Sequence, residues 1–247
     1  ENHSRDLYEI EKDSQKKLLE TNGIKVCWRS WGKGTPLVLL HGGYGSWRHW
    51  IKQAIPFSKN YNVLIPDMPG FGESDDLPLP HTPEKIASNL ADTLIKLISL
   101  NENPLVCGFS FGGLIAGHLS YELINRQLSP RKLILVGPGG LGAKRGEMKA
   151  MIPRHSKMTE QEVYDAHKTN LEILMFYNPK KVDDFAAEVA AQGRPGPGWE
   201  AGERAEGEQH DEPGDARGGG GRGADAGGAL EGPGLPGSVG GEDLGEV

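Results

Sequence analysis

Short, mainly apolar runs alternate along this chain with longer segments in which apolar residues recur every three or four positions. The apolar runs are at residues 37–40, 61–66, 105–107 and 132–136. Runs without a polar face are typical of strands that are covered on both sides, as in parallel sheets. A helical pattern follows Thr82, which suits the N-cap position, with Pro83 suited to the first helical position. The alternation predicts an α/β fold, with a mostly parallel sheet and helices on both faces.

The N-terminal region has a different pattern, in which two short segments flank a glycine turn. Residues 16–20 and 24–28 lie on either side of Thr21-Asn22-Gly23. An Asn-Gly pair between two strand-like segments favours an antiparallel hairpin. Residues 1–15 are polar, so we expect a flexible arm there, and we expect a helix near residues 47–59.

Composition divides the chain near Gly193. Residues 1–192 hold 23 Lys and Arg against 22 Asp and Glu, whereas residues 193–247 hold 4 against 12 and contain 19 of the 36 glycines. This last segment cannot bury enough apolar surface to offset the entropy of ordering its backbone. We therefore predict a low-complexity, disordered tail over residues 193–247. Its bias toward Gly, Ala, Arg, Pro and Glu also suits a GC-rich coding stretch read in the wrong frame.

Cysteine usage and targeting signals set broad limits on the environment of the protein. Cys27 and Cys107 are too few for a disulfide framework and lack the spacing of a metal site, so we expect two buried thiols. The sequence shows no secretory signal peptide and no apolar run of membrane-spanning length. We expect a cytoplasmic protein with no nucleic-acid or membrane partner. Its oligomeric state stays open.

The strongest candidate for chemistry is the motif Gly108-Phe109-Ser110-Phe111-Gly112. The spacing Gly-x-Ser-x-Gly suits a sharp turn from a strand into a helix, on which the serine hydroxyl stands exposed. The two glycines remove side chains that would crowd this turn. The N–H groups at the start of the helix can stabilise a developing negative charge. On this motif alone, a glycine-rich turn with a spare serine remains the alternative.

A second glycine motif, Gly137-Pro138-Gly139-Gly140-Leu141-Gly142, matches the letters of a dinucleotide-binding loop. Such a loop normally follows the first strand of its unit and opens a helix at once. Here Pro138 lies inside the loop and several predicted strands precede it. We interpret the motif as a connection rather than a cofactor site, and residues 218–223 of the tail lack even a preceding strand.

Three motifs in this order resemble those of the α/β-hydrolase family. They follow successive predicted strands and are His41-Gly42-Gly43, residues 67–74 and residues 108–113. The chain is similar to capped serine hydrolases of this family, such as esterases and meta-cleavage-product hydrolases. The resemblance implies an α/β-hydrolase core over residues 16–142 and a partial helical cap over residues 143–192. In the cap segment, Thr159 and Glu162 form the pattern of a capping box.

The resemblance also implies roles for individual residues. Ser110 is the expected catalytic nucleophile, and the N–H groups of Gly43 and Phe111 are the expected oxyanion hole, with no cofactor and no metal. His41 is expected to shape its loop rather than to act as the base. Asp67 is expected to organise a loop, because the family places its acid after the serine in the sequence.

The family places its catalytic acid and histidine after its seventh and eighth strands, and this chain has no strand-like run beyond about residue 200. His210 lies in a polar stretch rich in glycine, which cannot hold a base within reach of Ser110. We therefore expect that the C-terminal half is incomplete, either lost or replaced. The prediction is a serine hydrolase for a small ester or for a carbon–carbon bond of a ring-cleavage product, with impaired activity. The alternatives are a non-catalytic binding protein of this fold and a truncated or frameshifted fragment.

Overall fold

A computed structural model describes residues 3–43, 45–142, 150–153, 155, 157–176 and 178–191. Within these residues, the strands are β1 (Gln15–Thr21), β2 (Ile24–Trp31), β3 (Thr35–Leu40), β4 (Tyr61–Pro66), β5 (Leu105–Phe109) and β6 (Lys132–Val136). The helices are α1 (His3–Lys12), α2 (Ile51–Ser58), α3 (Pro83–Leu94), α4 (Phe111–Asn125), α5 (Glu160–Leu174) and α6 (Asp184–Ala191). Short 3-10 turns occupy Trp47–Trp50 and Pro179–Lys181.

The described strands form one sheet in the order β1-β2-β4-β3-β5-β6. Strands β4, β3, β5 and β6 run parallel, and the β1–β2 hairpin joins them through an antiparallel pairing of β2 with β4. In the hairpin, Thr21 pairs with Ile24, and the two residues between them, Asn22 and Gly23, have positive φ angles of 50° and 78°. This is the backbone of a type I′ turn, which matches the twist of the strands. The mostly parallel sheet and the hairpin predicted from the sequence are confirmed.

Strand β3 contributes its alternate residues to two apolar cores, one on each face of the sheet. Val38 and Leu40 pack with residues of α3 and α4 in the first core. Leu37 and Leu39 pack in the second core with residues of α1, α2 and α6. Because successive side chains of a strand point to opposite faces, helices on both faces require an apolar strand of this kind.

Helix α1 differs from the expectation of a flexible arm over residues 1–15. Its Leu7 is buried in the second core, and the Trp31 indole N–H donates to the carbonyl oxygen of Ile10 at 3.0 Å. Glu11 pairs with the Arg29 guanidinium at 3.0 Å. The polar composition of this segment conceals an amphipathic helix, whose Leu7 packs in the second core and whose C-terminal end is bonded to β2.

Strand β6 also differs from expectation, because its apolar sequence predicts a strand covered on both faces. The residues from Leu133 to Val136 are between 38% and 43% exposed. In the described part of the chain, β6 pairs with β5 alone and forms one edge of the sheet. The apolar sequence correctly predicts the strand, but the neighbours that would bury it are not among the described residues.

Helices α5 and α6 lie in the segment that the family resemblance assigns to the cap. The capping box at the start of α5 is present, with Thr159 and Glu162 each bonded to the other's backbone N–H. Helix α6 begins at Asp184, after the 3-10 turn over Pro179–Lys181. Because Phe185 and Val189 join the second core, α6 covers a face of the sheet. The cap over residues 143–192 stays a prediction, and the tail of residues 193–247 lies outside the described residues.

The two cysteines are free and buried, as expected. Among the described residues, no helix is both long and apolar enough to cross a membrane.

Candidate active site

Ser110 lies between the end of β5 and the first residue of α4, so the predicted strand–turn–helix junction is present. Its backbone has a φ of 53° and a ψ of −117°. Such a conformation costs on the order of 1–3 kcal/mol for a residue with a side chain, and it persists only where the surroundings enforce it. The Ser110 N–H donates to the carbonyl oxygen of Val136 at 2.9 Å, and its own carbonyl accepts from the N–H of Gly113 at 2.9 Å. These bonds hold the serine in the strained turn.

The two glycines of the motif are required by close backbone contacts. A Cβ atom on Gly108 would lie 2.1 Å from the carbonyl oxygen of Gly112. A Cβ atom on Gly112 would lie 2.3 Å from the carbonyl oxygen of His41. Since backbone atoms cannot move aside as a flexible side chain can, larger residues would push apart β5, α4 and the loop after β3.

The glycine loop after β6 supports the same turn. The N–H of Gly139 donates to the Ser110 carbonyl oxygen at 3.1 Å. Pro138 lies against the start of α4. A Cβ atom added to Gly113 would be 2.7 Å from the Cβ of Pro138. The motif at residues 137–142 therefore supports the backbone turn of Ser110, and its interpretation as a connection rather than a cofactor site stays a prediction.

The structure brings together the three residues to which the sequence assigns chemistry. A Cβ atom on Gly43 would lie 3.6 Å from the Cβ of Phe111, and one on the preceding Gly42 would lie 3.4 Å from the Cβ of Ser110. Phe111 is the first residue of α4, where the N–H groups have no partner within the helix. Ser110, Gly43 and Phe111 are all half-buried.

His41 is fully buried, and both of its ring nitrogens are occupied. The N–H of Met68 donates to Nε2 at 3.0 Å, and Nδ1 lies 2.8 Å from the carbonyl oxygen of Gly42. Because a backbone N–H can only donate, Nε2 is the acceptor and Nδ1 carries the proton. Burial lowers the pKa of His41 to about 4, against a smaller opposing effect of the Gly42 bond. Held in this way, His41 is a connector between loops and has no free nitrogen for the Ser110 proton.

Asp67, at the end of β4, is a second buried connector. Its carboxylate accepts from the N–H of Trp47 at 2.9 Å and from the N–H of Glu73 at 3.1 Å. The Arg29 guanidinium donates to it at 3.2 Å. Burial raises the pKa of Asp67, and the backbone bond from Trp47 and the charge of Arg29 act against that rise. Its contacts are those of a residue that organises loops.

Cys27, Asp67 and Glu73 are the one group among the described residues with ligand atoms close enough to hold a metal ion. The Arg29 guanidinium donates to all three, including a contact of 3.4 Å to the Cys27 sulfur. Burial raises the pKa of the Cys27 thiol to about 11, so it stays protonated near neutral pH. The cluster is therefore arranged around the guanidinium, and a metal would have to displace it.

Three phenylalanines belong to the region of the candidate nucleophile. Phe109 and Phe111 flank Ser110 in the sequence, and the Phe71 ring centroid lies 6.1 Å from that of Phe111 and 5.2 Å from that of His41. The three phenylalanines are half-buried.

Sequence reasoning did not single out two residues of this region. Arg29 was not noticed, although a lone arginine inside an apolar strand is a signal that a buried partner exists. His49 was not noticed either, although it follows the glycine loop within eight residues of His41. Its Nδ1 accepts the N–H of Gly42 at 3.1 Å.

Among the described residues, no base contacts the Ser110 hydroxyl. In the described part of the chain, no hydrogen bond joins an imidazole to the Ser110 hydroxyl. His210, the histidine that the sequence places after the cap, lies outside the described residues.

Comparison with known proteins places this arrangement in a family. A sequence profile of the Alpha/beta hydrolase family matches residues 37–233. The chain is 34% identical over 116 residues to a 2-hydroxy-6-oxo-6-phenylhexa-2,4-dienoate hydrolase of Burkholderia cepacia, an alignment that covers 45% of this chain and 39% of that protein. It is 34% identical over 96 residues to a pimeloyl-(acyl-carrier protein) methyl ester esterase of Pseudoalteromonas atlantica, with 37% and 34% covered.

The chain thus matches about two fifths or less of the length of these relatives. Among solved structures, wild-type Cfl2 from Burkholderia cenocepacia superposes with a TM-score of 0.55 at 17% identity, covering 72% of this chain and 65% of that chain. This likeness is one of fold alone. Because the family profile matches more than half of the residues, the chain belongs to the alpha/beta hydrolase family.

Proposed function

We propose that this chain is a hydrolase whose nucleophile is Ser110. The observation that carries the proposal is the strained backbone of Ser110, held by Val136 and Gly113 at the start of α4 and beside the Gly43 loop. Strain of this kind needs a reason when a glycine could relieve it. The need to expose the Ser110 hydroxyl to a substrate, away from the sheet, provides that reason.

In the proposed reaction, the Ser110 Oγ attacks a carbonyl carbon and its proton passes to a base. The oxygen of the tetrahedral intermediate accepts hydrogen bonds from the N–H groups of Gly43 and Phe111. Collapse expels an alcohol from an ester, or a carbon leaving group from a ketone, and the leaving group takes up the proton. Water then cleaves the acyl-serine, releases the acid and restores the hydroxyl.

The proposed substrates are a small ester and the ketone of a ring-cleavage product. Two observations support these classes. Half-buried rings of Phe71, Phe109 and Phe111 provide an apolar surround for the acyl group. The relatives described above are by name hydrolases of a phenyl-substituted oxo-dienoate and of a methyl ester.

We further propose that turnover by this chain is slow. A serine hydroxyl is a weak nucleophile at neutral pH unless a positioned base takes its proton. Among the described histidines near Ser110, His41 and His49 are both committed to loop contacts. In serine proteases, removal of the triad leaves a rate enhancement of only about 10³–10⁴ over water. The absence of a base beside Ser110 in the described part of the chain favours a second candidate function, a non-catalytic binding protein of this fold.

The test compares five proteins on a p-nitrophenyl ester and on an oxo-dienoate whose conjugated chromophore disappears on cleavage. They are the unmodified chain, its Ser110→Ala variant, a control Ser120→Ala variant on α4, a chimera, and the same chimera with Ser110→Ala. In the chimera, the C-terminal segment of a related hydrolase replaces everything after Gln192.

We expect the first three proteins to be nearly alike and the chimera to be faster by orders of magnitude, with its gain abolished by Ser110→Ala. A chimera that folds but gains nothing would contradict the assignment of Ser110. Fast turnover by the unmodified chain that depends on Ser110 would contradict the proposed impairment.

A further inference from the structure

Two imidazoles hold the polar groups of a single glycine in the loop beside Ser110. Gly42 donates its N–H to Nδ1 of His49 at 3.1 Å. Its carbonyl oxygen lies 2.8 Å from Nδ1 of His41, which carries the proton because its other nitrogen accepts from Met68. Both hydrogen-bonding groups of Gly42 therefore have fixed directions.

The direction of the Gly42 carbonyl decides the direction of the next N–H. The carbonyl of Gly42 and the N–H of Gly43 belong to one planar trans peptide, so they point to opposite sides. The N–H of Gly42 belongs to the preceding peptide, and its bond to His49 fixes the other side of the residue. Glycine has more backbone freedom than other residues, and consecutive glycines need such restraints if one N–H is to keep a single orientation.

The ring of His49 is itself held in place. It meets the Phe109 ring edge-on, with centroids 5.8 Å apart and an angle of 74° between the planes. It also covers the backbone of Gly45, where a Cβ atom would lie 2.1 Å from the ring. Since Phe109 directly precedes Ser110, His49 connects the loop of Gly43 with the strand that carries the nucleophile.

The tautomer of His49 excludes it as the missing base. Because Nδ1 accepts a backbone N–H, the proton of the neutral ring is on Nε2, and neither nitrogen is free to take a proton from serine. Burial, with a smaller effect of His41, lowers the pKa of His49 to about 3. The ring is therefore neutral near pH 7, as an acceptor at Nδ1 requires.

We infer that His49 is a positioning residue for the oxyanion hole, holding Gly42 so that the N–H of Gly43 faces the site of the substrate oxygen. The role given to Gly43 rests on the proposed function, whereas the contact between His49 and Gly42 does not. The nearest substitutes for His49 separate shape from hydrogen bonding. Phenylalanine keeps a ring but has no acceptor, and asparagine offers Oδ1 close to the position of Nδ1.

The experiment uses the full chain and compares His49→Phe, His49→Asn and, as a matched control, His118→Phe on α4. Amide hydrogen exchange at Gly42 measures the contact, and the rate at which a fluorophosphonate probe labels Ser110 measures the chemistry. In His49→Phe we expect the Gly42 amide to lose its protection and the labelling rate to fall roughly 10- to 100-fold, the cost of a misplaced group near the reacting atoms. His49→Asn should recover most of both, and His118→Phe should change neither.

The inference is overturned if His49→Phe keeps the Gly42 protection, or loses it with no change in labelling. It is also overturned if His49→Asn and His49→Phe slow labelling equally, since the acceptor would then be irrelevant. If the unmodified chain is not labelled at Ser110 at all, the proposed function fails, and the Gly42 amide alone decides whether His49 holds the loop.

Discussion

Strands β3 and β6 have nearly the same apolar character but opposite environments. From Leu37 to Leu40, the side chains of β3 are at most 6% exposed, whereas those of β6 from Leu133 to Val136 are at least 38% exposed. Strand β3 lies between β4 and β5, with helices on both faces, and β6 pairs with β5 alone among the described strands. The apolar run determines that each segment is a strand, and its neighbours determine how much that strand stabilises the fold.

Ser110 is held by contacts from the region of β3 and from the region of β6. The loop after β3 carries the His41 and His49 contacts to Gly42, and Gly112 packs against the same loop. From the other side come Val136 at the end of β6 and Gly139 in the loop that follows it. The candidate active site thus joins a buried half to a half that is exposed in the described part of the chain.

The largest expected difference is in the free energy of unfolding. Leu39→Ala removes a fully buried side chain from β3 and should cost about 2–5 kcal/mol, by lost burial and a residual cavity. Leu135→Ala makes the same chemical change on β6 and should cost less than about 1 kcal/mol, because the side chain is already 38% exposed. Urea unfolding measures both. Equal costs would mean that β6 is covered by part of the chain beyond the described residues.

A smaller effect is expected at two adjacent glycines that face opposite sides of the site. A Cβ atom on Gly112 meets the backbone of the loop after β3, whereas one on Gly113 meets Pro138 in the loop after β6. We expect Gly112→Ala to destabilise by about 1–3 kcal/mol through overpacking, and Gly113→Ala by less because the exposed loop can shift.

Gly117→Ala is the matched control for this pair. Gly117 lies in the middle of α4, and a Cβ atom added to it would have no neighbouring atom within 4 Å. The substitution should stabilise the helix by roughly 0.5–1 kcal/mol. Thermal unfolding measures all three variants. If Gly113→Ala destabilises more than Gly112→Ala, the loop after β6 is the more rigid of the two supports, contrary to the expected order.

Much of this architecture follows from the sequence because it depends on local chemistry. The Asn22-Gly23 turn, the Thr82 cap with Pro83, and the Gly-x-Ser-x-Gly elbow each contain the residues that their own backbone geometry requires. Features that depend on distant partners were missed. Helix α1 needs the second core beside it, the exposure of β6 reflects its single neighbour among the described strands, and His49 gains its role only when the chain turns back on Gly42.

A further effect is expected on the pH dependence of stability. The pKa of His41 in the folded chain is about 4 and that of His49 is about 3, both below the ordinary value of 6.5. The unfolded chain therefore takes up protons first, and stability should fall as the pH drops from about 6.5 toward 4. Each histidine should account for about 1–2 kcal/mol between pH 6.5 and 5.

Urea unfolding of the unmodified chain and of His49→Asn at several pH values isolates the share of His49. The comparison removes the effect of Asp67, whose raised pKa acts in the opposite direction. The variant should show a shallower loss of stability on acidification. An identical slope would show that His49 is not buried as a neutral acceptor.

The most direct test of the central claim is to find where a fluorophosphonate probe reacts with the folded, unmodified chain. After a long incubation, peptide mapping by mass spectrometry should locate one adduct, on Ser110, and it should form slowly because no described residue serves as its base. The same mapping of Ser110→Ala should find none. An adduct on another serine, or no adduct on Ser110 in a chain shown to be folded, would contradict the assignment of Ser110 as the nucleophile.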